Sequence, residues 1–82
     1  MGAMRICTYG YNYCGSDLLS IGDYRQDIAD ALKAAGQPND AAHIQFSLFN
    51  CDGLVSGHIQ FLKFCGAERC VNAGSGSDDY CL

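Results

Sequence analysis

Six cysteines, two histidines, nine carboxylates and five tyrosines are the residues of this 82-residue chain that could carry chemistry. Cys7, Cys14, Cys51, Cys65, Cys70 and Cys81 form an even set, dense for the length. Such a set either closes disulfides or ligates a metal. Structural zinc sites usually need two close C-x2–4-C pairs, or one such pair with a close pair of histidines. Only Cys65-x4-Cys70 comes near that spacing, and the histidines stand fifteen residues apart. The spacings therefore favour three disulfides, each worth about 2–4 kcal/mol through restriction of the unfolded chain. Disulfides persist in oxidising compartments, so a secreted, extracellular protein is expected, with no metal and no other cofactor.

His43 and His58 suggest acid–base catalysis of the small-ribonuclease kind, which requires both to reach one substrate. If each opens a strand of one antiparallel hairpin, about six residues separate them, roughly 20 Å. That is too far, and the expectation is two solvent-facing strand histidines. Asp52, Asp78 and Asp79 lack the alternating ligands and terminal Glu of a calcium loop. No segment resembles a nucleophile elbow. No catalytic residue is expected, and the chain reads as a non-enzyme. Tyr9, Tyr11 and Tyr13 fall on every second position, hence on one face of an extended chain. They either cover the sheet or a disulfide, or form a recognition surface combining apolar area with polar tips.

The elements that position these groups must fit in one domain. A chain this short buries only about 60% of its unfolded surface, so its core is thin and cross-links offset that. Apolar residues make up 49% of the chain, too many for a disordered acidic tail. Two lysines and three arginines against nine acids give a net charge of −4, which argues against nucleic-acid binding. No apolar run approaches the ~20 residues of a membrane span. Met1–Met4 reads as an initiator followed by a cloning remnant, leaving 5–82 as a single disulfide-rich domain whose leader has been removed.

Arg5–Tyr13 is rich in β-branched and aromatic residues, and its first half reads as a strand ending near Gly10. Cys14-Gly15-Ser16-Asp17 is turn chemistry. Residues 23–35 read as a helix: Asp23 caps it with Gln26 as capping-box partner, and Tyr24, Ile28, Leu32 and Ala35 form one apolar stripe. Asp27, Asp30 and Lys33 face away. Gly36 suits a left-handed helix end, and Pro38 blocks continuation. His43-Ile44-Gln45-Phe46 is echoed by His58-Ile59-Gln60-Phe61. Both alternate, so they read as two strands of an antiparallel hairpin, with Asn50-Cys51-Asp52-Gly53 opening the turn. The tail from Gly66 reads as a loop stapled between Cys70 and Cys81, with a short strand near Cys70–Asn72. The expected fold is α+β: an antiparallel sheet of three to four strands, one clear helix on one face, and three disulfides. Open sheet edges leave room for a homodimer.

Cys7 to Leu19, the helix end Ala35-Gly36-Gln37-Pro38, Ser47 to Cys51 and Gly74 to Cys81 together resemble small secreted cysteine-rich proteins of filamentous fungi. Many members of such families are candidate effectors of plant pathogens. The resemblance spans Ile6 to Cys81 and includes every cysteine. The chain also looks like the α/β sandwich of smut-fungus killer-toxin subunits, two helices on a four-stranded antiparallel sheet. That likeness implies a second short helix, for which the stretch Cys65–Cys70 is the place. With the split β-α-β arrangement it implies, the cross-links would pair Cys7 with Cys65, Cys14 with Cys51, and Cys70 with Cys81. This is one of fifteen connectivities that six cysteines permit. The function implied is that of a secreted fungal effector binding a host protein or cell-surface component during plant colonisation. A killer-toxin-like antimicrobial acting on competing microbes is the alternative.

Overall fold

The computed structural model describes residues 6–74 and 76–82. In chain order the elements are β1 (Asn12–Cys14), α1 (Gly15–Ile21), α2 (Arg25–Ala34), α3 (Ala41–Phe46), β2 (Ser47–Cys51), β3 (Ile59–Phe64), β4 (Cys70–Val71) and β5 (Tyr80–Cys81). β1, β2 and β3 form an antiparallel sheet in that order, and β4 pairs with β5 in a separate two-stranded ladder. The α+β class is as the sequence predicts. An antiparallel hairpin is present, but its first strand is Ser47–Cys51 rather than the segment opening at His43, and Asn50 and Cys51 belong to that strand instead of the turn. No described helix is long and apolar enough to cross a membrane.

Side chains alternate across a strand. Phe49 and Cys51 of β2, with Ile59 and Phe61 of β3, therefore share the face that meets Leu18, Ile28, Leu32 and Ile44 from the three helices. Burial of each large aliphatic side chain there contributes about 1.5–3 kcal/mol. Phe49 and Phe61 meet edge to face at 6.0 Å. Tyr24 joins this core and keeps its hydroxyl satisfied: it accepts from Cys7 N at 2.9 Å and donates to Gly57 O at 3.1 Å.

The helix expected over 23–35 is present as α2, two residues shorter at its start. Asp23 does not cap it. Tyr24, pinned through its hydroxyl, supplies the first helical acceptor to Ile28 N at 2.8 Å, and Gln26 donates to Asp30 rather than closing a capping box. The other end follows the prediction. Gly36 adopts φ 70°, and the amides of Gly36 and Gln37 reach back to Lys33 O and Leu32 O, a Schellman closure. Ile28 and Leu32 are buried, whereas Ala35, beyond the last turn, is exposed.

Other segments depart from expectation. The first strand begins after Gly10 instead of ending there, because Gly10 at φ 91° turns the chain between Thr8 and Tyr11. Cys14–Asp17 is no turn: Cys14 is the extended N-cap of α1. His43–Phe46 is helical, because Asp40 caps α3 by accepting from His43 N at 2.8 Å. Its copy at 58–61 runs into β3, held by the ladder to β2. The stretch Cys65–Cys70 forms no helix; Glu68 sits at φ 60° in a turn. Helix content beyond α2 comes from α1 and α3.

All three expected cross-links are replaced. The bonds are Cys7–Cys51, Cys14–Cys70 and Cys65–Cys81. Cys14 cannot meet Cys51, because it stands opposite Leu48, three residues down the ladder and so roughly 10 Å away. Cys7, turned back at Gly10, lies at the Cys51 end of β2, while Cys65 lies at the other end, donating to Phe46 O. Cys70 and Cys81 do face each other across the β4–β5 ladder, yet each bonds outward. They fasten the tail to β1 and to the end of β3.

Candidate functional site

The tail brings two carboxyl groups to the start of α1. Asp79, only 2% exposed, accepts from Cys14 N at 2.9 Å and from Ala73 N at 2.9 Å. Its own amide donates to Asn12 O, and Asp78 accepts from Asn12 N at 2.9 Å. The outward amides and carbonyl of β1 are thereby answered by the tail. Asp17, on the first turn of α1, lies against Asp79. Burial first, then the contact and like charge of Asp79, push its carboxyl up to about 6, with Asn72 pulling the other way. A carboxyl that changes charge near neutrality in a cleft is a mark of candidate function.

Beside this pair opens a cleft of about 440 Å³, lined by Thr8, Tyr11, Tyr13, Asp17, Ser20 and Asn72 among others. It holds two of the three tyrosines singled out in the sequence. Tyr13 leans on the core and accepts from Thr8 N at 2.8 Å. Tyr9 is 54% exposed at the Gly10 turn and lies outside the cleft, because that turn breaks the extended run needed to keep the three on one face. Two aromatic rings among hydroxyl, amide and carboxyl groups can hold a polar ligand by stacking and hydrogen bonds.

The histidines are not a pair. His43 is a helix residue rather than a solvent-facing strand residue; it bonds Asp40 through Nδ1 at 2.7 Å and stacks on Phe64 at 3.9 Å. His58 is exposed and bonds Asp52 through Nδ1 at 2.5 Å. Ser56 Oγ accepts from the backbone N–H of His58, and no hydrogen bond joins it to the ring among the described residues. The six cysteines are all bonded and offer no thiolate to a metal.

The Asp40–His43 pair has a sequence signal, an Asp after Pro38 and three residues before His, in N-cap spacing. The Asp17–Asp79 pair has none, since the two lie at opposite ends of the chain. Comparison with protein-family models, with curated proteins and with solved structures finds no match to this chain.

Proposed function

We propose that the protein is a secreted, non-enzymatic binding protein of the fungal effector kind, which engages a host component outside or within plant tissue. The observation that carries this reading is the tyrosine cleft. Tyr11, Tyr13 and Asp17 line an open, ligand-sized concavity on a scaffold cross-linked at both ends of its sheet. Three disulfides in so small a domain fit an extracellular setting. The resemblance in sequence supplies the host and the effector role.

The test applies disulfide-intact protein to leaf tissue and reads immune output, with yeast and bacterial growth assayed in parallel. The expected result is an altered immune response, lost in Tyr11→Ala, with no growth inhibition. Inhibition of microbial growth without a plant response would instead establish the killer-toxin-like antimicrobial reading.

A further inference from the structure

A second concavity, about 880 Å³, lies between α2 and β3. Its helix wall is Ala31 and Ala34 flanked by Asp27 and Asp30, and its strand wall is Ile59 and Phe61. β3 is an outer strand, with β2 on one side and no described strand on the other. In an antiparallel ladder, successive residues direct their backbone groups alternately to the partner strand and away from it. The bond from Asp52 N to His58 O, 2.9 Å, sets the phase. His58 and Gln60 face β2, and Ile59 and Phe61 direct their N–H and C=O groups outward. No described residue answers them. The contrast with β1 is direct, because there Asp78 and Asp79 occupy the equivalent outward groups of Asn12 and Cys14. One edge of the sheet is closed by the tail, and the other is open.

We propose that this groove binds a basic peptide segment in extended form, which adds to β3 as a fourth strand. An open edge supplies main-chain hydrogen bonds to any extended chain, and flanking side chains select which chain. The selecting groups here are carboxylates. Asp27 and Asp30 are exposed along α2, Asp52 stands at the mouth with His58, and no lysine or arginine lines the groove. The alanines leave room for a backbone between helix and strand. A second copy of the chain is a poor occupant, because its own β3 edge would bring a second acidic wall and a second net charge of −4. This inference is independent of the tyrosine cleft.

The probe is a short capped peptide of alternating lysine and valine, titrated into isotope-labelled, disulfide-intact protein and followed by amide NMR and hydrogen exchange. Expected are shift changes confined to α2 and β3, slowed exchange at the Ile59 and Phe61 amides, and weakening of binding by salt. A peptide N-methylated at alternate residues should not bind. Asp27→Asn with Asp30→Asn, both at exposed positions, should lower affinity about fivefold. The proposal is overturned by any of four results. These are no binding up to millimolar peptide, equal binding of a glutamate–valine peptide, shift changes elsewhere, or a free protein that is already dimeric with those two amides protected.

Discussion

Asp17 holds its proton more tightly in the folded chain than an unfolded aspartate does, because burial and Asp79 both penalise its charge. The folded pKa of about 6 lies above the unfolded value of 3.8, so folding takes up a proton between those limits. Stability contributed by this group is present below the lower value and is lost as pH rises to the upper one. Asp40, whose carboxyl is held low by His43, acts oppositely and loses its contribution only under acid. Asp17→Asn, permanently neutral, should remove the decline between pH 4 and pH 6. Denaturant midpoints of both proteins across that range check this, and superimposable profiles would refute it. Sequence reading identified Tyr11 and Tyr13, which line the cleft, but not the acid pair beside it. Alternation along a strand is visible locally, whereas a contact made by tail docking is not.

Helices and strands here are decided by their flanks. The tetrapeptide His-Ile-Gln-Phe is helical at 43–46 and enters a strand at 58–61, so its own pattern chooses neither. Asp40 decides the first copy, and the ladder with β2 the second. α2 was legible because stripe, glycine and proline all agree, whereas α1 was hidden by turn-like residues at its start. Gly15 is there for space. A Cβ at that position would overlap the Ile44 carbonyl oxygen where α1 crosses α3. Gly15→Ala should therefore cost about 1–3 kcal/mol despite the better helix propensity of alanine, because a backbone carbonyl cannot swing aside. Ser16→Ala, at the exposed neighbouring position, should leave the denaturation midpoint unchanged. Equal midpoints for the two variants would contradict the close approach.

Over the whole molecule, the cross-links divide between the two ends of the sheet: Cys7–Cys51 closes one, and Cys14–Cys70 with Cys65–Cys81 bind the tail across the other. The count of three disulfides was readable from cysteine number and spacing. The partners were not, because they depend on the turn at Gly10 and on the path of the tail. Leu54 and Val55, 75% and 87% exposed at the β2–β3 turn, are natural sites for a protease that cuts at apolar residues. Limited digestion should yield two pieces under reducing conditions and, without reductant, one species heavier by a single water. Release of a free fragment would contradict this linkage. The intervals 7–51, 14–70 and 65–81 overlap end to end, so every peptide bond from Cys7 to Cys81 is spanned by at least one bridge. The pairing expected from sequence would have left a seam between Cys65 and Cys70. As it stands, no single cut within that span can divide the chain, and a protein nicked by a hostile medium still travels as one covalent body.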